Sequence, residues 1–116
     1  MRLLISTRGL RLTPEERQHV ERRLGFALGR FGDRIGLVRL RLTDLNGPKG
    51  GIDKRCVITV RVIGAQEILA EATVPYPLEA VDCASDRASR AVKRALAKLR
   101  EQEVRRPRPW SHWSLR

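Results

Sequence analysis

A chain of 116 residues with 24 Lys and Arg against 13 Asp and Glu carries a formal net charge of +11, while its hydrophobic content of 41% is ordinary for a globular domain. The length allows one domain that buries about two-thirds of its extended surface. It leaves no place for a disulfide scaffold or a zinc site, because Cys56 and Cys83 lie in apolar stretches without CxxC or Cys/His ligand spacing.

At the N-terminus the apolar run from Leu3 is broken by Arg8, too soon for a signal peptide, and no segment approaches the ~20 apolar residues of a membrane span. A cytoplasmic location without a membrane partner is expected. A positive surplus of this size opposes compaction, and an anionic partner is the usual reason to carry it.

Leu3 to Arg8 reads as a first strand closed by Gly9. Thr13-Pro14-Glu15-Glu16 then offers a capping hydroxyl, a proline at the first helical position and a carboxylate placed to reach back to the cap. The helix is expected to run to about Arg30 and end at Gly32-Asp33. Val20, Leu24, Ala27, Leu28 and Phe31 form its apolar face, and His19, Arg22, Arg23, Phe26 and Arg30 gather on the opposite side.

Three segments with period-two alternation follow, the mark of strands buried on one face. In 37–43, Val38, Leu40 and Leu42 point one way and Arg39 and Arg41 the other; in 55–63 the inward set is Cys56, Ile58, Val60 and Val62; in 67–74 it is Ile68, Ala70, Ala72 and Val74. Gly64-Ala65-Gln66 is short enough to join the last two as an antiparallel hairpin, whereas 44–53, with its Asn-Gly-Pro and Gly-Gly steps, reads as a long hairpin loop.

Pro77 opens a second helix that continues to about Val104, where Arg106-Pro107-Arg108-Pro109 stops it. Residues 105–116 form a basic tail, expected to be flexible, that holds both tryptophans, Trp110 and Trp113. The whole reads as β-α-β-β-β-α: an α+β fold with a four-stranded, mostly antiparallel sheet and two helices on one face.

The sharpest charge pattern lies on the second helix. Arg87, Arg90, Arg94 and Lys98 recur at three- and four-residue steps with Lys93 and Arg100 beside them, while the acids cluster at the helix ends. This pattern, with Arg22 and Arg30 on the first helix, favours a phosphate-binding face over a merely solvated one. Phe26 is either a stacking surface for a base or sugar or packs on a neighbouring loop or the tail. The same alternatives hold for Trp110 and Trp113, which either fold back or stack on a partner. The 47–51 glycine loop lacks the order of a phosphate-binding P-loop, though its backbone and Lys49 could meet an RNA backbone. No set of nucleophile, base and orienting group can be assembled around His19 or either cysteine, so no enzymatic activity, cofactor or metal is expected.

Three stretches together resemble one family, the ribosome hibernation-promoting factors and ribosome-associated inhibitors, once called sigma-factor modulation proteins. They are Leu12-Thr13-Pro14 with Arg17-Gln18-His19-Val20 and Arg23-Leu24; Leu42-Thr43-Asp44-Leu45-Asn46-Gly47-Pro48-Lys49-Gly50-Gly51-Ile52-Asp53-Lys54-Arg55-Cys56; and Ala80-Val81-Asp82 with Asp86-Arg87 and Arg90. The resemblance implies a fold similar to double-stranded RNA-binding domains and a stress-response role in translation. It places members in the messenger and transfer RNA channel of the small ribosomal subunit, where they block translation.

By that resemblance Arg23, Arg87, Arg90 and Arg94 face ribosomal RNA, and the helical spacing adds Arg22, Arg30, Lys93 and Lys98. Leu78 departs from the family pattern, in which many members have a tyrosine. Longer members add a C-terminal dimerisation domain, for which this length has no room, so a monomer off the ribosome is expected, with a second ribosome-modulating factor as a further partner. The rival readings are a general binder of duplex RNA and a regulator docked on an acidic protein through Trp110 and Trp113.

Overall fold

A computed structural model describes residues 1–45 and 53–105. In chain order its elements are β1 (Arg2–Arg8), α1 (Pro14–Leu28), a 3-10 segment (Gly29–Arg34), β2 (Ile35–Asp44), β3 (Lys54–Val62), β4 (Ile68–Val74) and α2 (Pro77–Arg105). The sheet runs β1-β2-β3-β4, with β1 parallel to β2 and both later pairs antiparallel. The expected α+β architecture is the observed one. Lys49, Trp110 and Trp113, the 46–52 part of the expected loop and the 106–116 part of the expected 105–116 tail lie outside the described residues, while Arg105 ends α2. No helix among the described residues is long and apolar enough to cross a membrane.

The sheet presents one apolar face. Val38, Leu40 and Leu42 of β2, Cys56, Ile58, Val60 and Val62 of β3, and Ala70 and Ala72 of β4 are buried against the helices. Val20, Leu24, Ala27 and Leu28 of α1 and Ala80, Val81, Ala84, Ala88, Val92 and Leu96 of α2 complete this core. Small side chains on both α2 and β4 let helix and sheet approach closely. Burial pushes the Cys56 thiol up to about 12, so it is an inert core residue rather than a nucleophile.

Two local features depart from a plain reading of the pattern. The ladder between β2 and β3 shifts register between Ile35 and Leu37, so Gly36 is an extra residue. This bulge reverses the side-chain parity and lets Ile35 as well as Val38 face the core. At the other boundary, α1 ends at Leu28 rather than near Arg30, and the chain tightens into the 3-10 segment, inside which Gly32 adopts φ 56°. Glycines at 25, 29 and 32 weaken the regular helix there, and the positive φ at Gly32 turns the chain into β2.

At its start α1 forms the expected capping box: Thr13 Oγ1 accepts from Glu16 N–H at 3.1 Å, and Thr13 N–H donates to Glu16 Oε1 at 2.8 Å. The stem of the β2–β3 hairpin is closed by the register pair Asp44 and Lys54, whose Oδ1 and Nζ lie 3.4 Å apart. Gly9, at φ 78°, passes close to Asp44, so a side chain there would be strained by its backbone angle.

Candidate nucleic-acid interface

β1 and β4 run in the same direction, and each is followed by a helix that returns across the same face of the sheet. The two helices are therefore parallel to one another, and their cross-links confirm it. His19 meets Asp82, Arg23 meets Asp86 and Arg30 meets Ser89, both partners advancing along their helices together.

The N-terminal half of this seam is an ion-pair cluster. His19 Nε2 lies 3.2 Å from Asp82 Oδ1; since a carboxylate only accepts, Nε2 carries the proton. Arg23 Nε stands 3.5 Å from the same oxygen, and its Nη2 donates to the Asp82 carbonyl at 3.4 Å and to the Asp86 carboxylate. Arg23 is thus half-buried and shared between two acids. Sequence periodicity put His19 and Arg23 on a solvated side of α1; the structure turns both toward α2. The signal that would have found this was the 82–86 acid pair, which matches the 19–23 spacing once the helices are known to be parallel.

Farther along the seam the acids stop. Arg30 Nη2 donates to Ser89 Oγ at 3.0 Å, and the Arg30 guanidinium lies over the Phe31 ring, 4.8 Å from its centroid. Phe26, one turn before Arg30, is 84% exposed, which removes the packing alternative as far as the described residues go. Arg22 is also exposed.

On α2 the stretch from Arg87 to Arg100 contains no acid, and Arg87, Arg90, Lys93, Arg94, Lys98 and Arg100 are all exposed. Among the described residues no carboxylate lies within ion-pair distance of Arg90, Lys93, Arg94 or Lys98. Arg90 Nε does contact the Asp86 carbonyl at 3.4 Å, a weak bond within its own helix. Arg87 is engaged differently: its Nη1 donates to the Glu71 carbonyl of β4 at 2.6 Å. The Glu71 side chain in turn pairs with Arg55 across the strands at 2.5 Å. The expected basic residues among those described therefore divide: Arg23 and Arg87 are tied to backbone or carboxylate acceptors, Arg30 is exposed while bonded to Ser89, and Arg22, Arg90, Lys93, Arg94 and Lys98 are presented to solvent.

Such an array lends itself to binding a polyanion through its backbone, because several cations carried at regular spacing on one helix can meet successive phosphates. Among solved structures the fold matches a ribosomal subunit interface protein from Coxiella burnetii with a TM-score of 0.70 at 18% identity, covering 84% of this chain and 99% of that one. It also matches the N-terminal domain of Thermus thermophilus Protein Y with a TM-score of 0.67 at 24% identity, covering 81% of this chain and 98% of that one. No relative is matched among curated proteins. The sequence profile described as sigma 54 modulation protein / S30EA ribosomal protein matches residues 3–100, a span that takes in all four strands but for Arg2 at the start of β1, and both helices up to the last turns of α2. The sheet and its two parallel helices thus have the fold of these structures, and the chain belongs to the sigma 54 modulation protein / S30EA ribosomal protein family.

Proposed function

We propose that this protein is a ribosome hibernation factor that binds ribosomal RNA of the small subunit in the messenger and transfer RNA channel and stops translation by occupying it. The observation that carries this reading is the acid-free, exposed cationic face of α2 from Arg87 to Arg100 in a chain of this family. Arg90, Lys93, Arg94 and Lys98, with Arg22 and Arg30 from α1, neutralise phosphates, and release of condensed counterions supplies much of the affinity. Arg23 and Arg87 belong to the same surface but act mainly by holding it in shape. The mechanism requires no bond making or breaking.

Sedimentation of the protein with purified small subunits over a range of salt tests this reading. Binding to intact subunits should exceed binding to free RNA duplex and should weaken steeply with salt. Arg94→Ala should lower affinity and reduce the slope of log K against log salt by about one. Salt-independent binding would remove the phosphate mechanism, and equal affinity for duplex and subunits would make the protein a general reader of A-form RNA.

A further inference from the structure

The seam between the helices is not uniform in charge along its length. In its first half Asp82 and Asp86 face His19 and Arg23, so the cations there are compensated and a phosphate would meet two carboxylates. In its second half α1 contributes Phe26 and Arg30, and α2 contributes Ser89 and then Lys93, which continues the 82, 86, 89 spacing that faces α1. The acids of α1 itself, Glu15, Glu16 and Glu21, all lie in its first half; beyond them only Asp33 of the 3-10 segment is acidic.

Phe26 is the anomaly in this surface. A phenylalanine 84% exposed on a helix otherwise lined by arginines gives up the stabilisation that burial would provide. Its neighbours leave room around the ring: Gly25 and Gly29 bear no side chain, and among the described residues nothing beyond their chain neighbours and the helix's own backbone lies within 4 Å of where one would sit. Arg22 and Arg30 flank it at i−4 and i+4, and the Arg30 guanidinium is held in place by Ser89 and by the Phe31 ring. Phe26 and Arg30 are separated by one turn, about 6 Å along the axis, the scale that separates the base of a nucleotide from its phosphate.

We infer that the second half of the seam is a subsite for one unpaired nucleotide of RNA, whose base stacks on Phe26 while its phosphate is met by Arg30 and Lys93. This rests on the reading of the α2 face as an RNA-binding surface and adds the class of nucleotide it takes. Duplex RNA cannot fill the subsite, because its base faces are already stacked, whereas every unpaired base offers a π-face to an exposed ring. The flanking cations favour RNA over an apolar pocket on a protein as the occupant, since such a pocket would have to desolvate Arg22 and Arg30 without a counter-charge.

The test compares wild type with Phe26→Leu and Phe26→Trp on a short single-stranded oligoribonucleotide and on the duplex of the same length, at several salt concentrations. Phe26→Leu should lose roughly tenfold in affinity for the single strand and nothing for the duplex, with the salt slope unchanged, and Phe26→Trp should retain or exceed wild-type binding. Equal affinities for wild type and Phe26→Leu on the single strand, or equal losses on both RNAs, would overturn the subsite. The same holds if small subunits bind Phe26→Leu as well as wild type but lose Phe26→Ala, the mark of an apolar pocket. Failure of wild type to sediment with small subunits would instead count against the ribosomal reading, and the single-strand comparison would still decide the subsite.

Discussion

Arg87 reaches from α2 over the outer strand of the sheet and donates a 2.6 Å hydrogen bond to the backbone carbonyl of Glu71. The bond occupies a guanidinium that spacing alone would count with its neighbours as a free cation. Removing it should therefore have two effects where Arg94→Ala has one. Arg87→Ala should lower the unfolding free energy by about 1 kcal/mol, while Arg94→Ala leaves stability within ~0.5 kcal/mol of wild type. Urea denaturation of the two variants, set beside their salt-dependent affinity for RNA, checks this; equal stabilities would mean that the bond to Glu71 contributes nothing.

The Arg23 ion pairs make a similar distinction on α1. Arg23→Ala and Asp86→Ala should each destabilise the protein, and a double-mutant cycle between them should give a coupling of about 1 kcal/mol. The value is kept modest because Asp86 is largely exposed and water screens the pair. Asp86→Ala should also raise affinity for RNA, since it removes a carboxylate from the edge of the cationic surface. A fall in RNA affinity on losing Asp86 would show that orienting Arg23 matters more than the lost repulsion.

Ser85 offers a stabilising change. Its hydroxyl is fully buried in the packed face of α2 and has no hydrogen-bond partner among the described residues. Ser85→Ala removes an unsatisfied polar group and replaces serine by a better helix former, so stability should rise by ~1 kcal/mol. The urea midpoint should move up with the m-value unchanged.

Alkaline pH should expose the burial of Cys56. Folding raises its thiol to about 12, so above the ordinary thiol range of roughly 8.5 the unfolded chain releases a proton that the native protein retains. The unfolded state then binds fewer protons, and stability falls as pH rises. Compared with Cys56→Ala, wild type should lose stability between pH 9 and about 12 with an extra slope of about one proton per molecule. Parallel curves for the two proteins would mean that the thiol titrates normally in the fold.

Much of this architecture was legible in the sequence because hydrophobic period and turn chemistry agree along most of the chain. Thr13, Pro14 and Glu16 announced α1, and the alternation of β3 and β4 placed every core residue correctly. Ile35 falls outside the alternation that marks β2, because the bulge at Gly36 breaks the period-two pattern at that point. The site was harder to read. A helical wheel separates buried from exposed positions but does not say which exposed residues meet another helix, and on it His19 and Arg23 fall beside Arg22. Nor does periodicity reveal a side chain bonded to a distant main-chain carbonyl, as Arg87 is.

The topology of the sheet also fixes how its parts come apart. β2, β3 and β4 form a meander whose strands pair with their chain neighbours, but β1 joins only through a parallel ladder that a whole helix must span. Such closure is entropically the more expensive kind. β1 is moreover an edge strand with only Leu3 and Ile5 half-buried on its inner side. Amide exchange should therefore be fastest in β1 among the four strands, and the N-terminal strand is where the native protein first breathes.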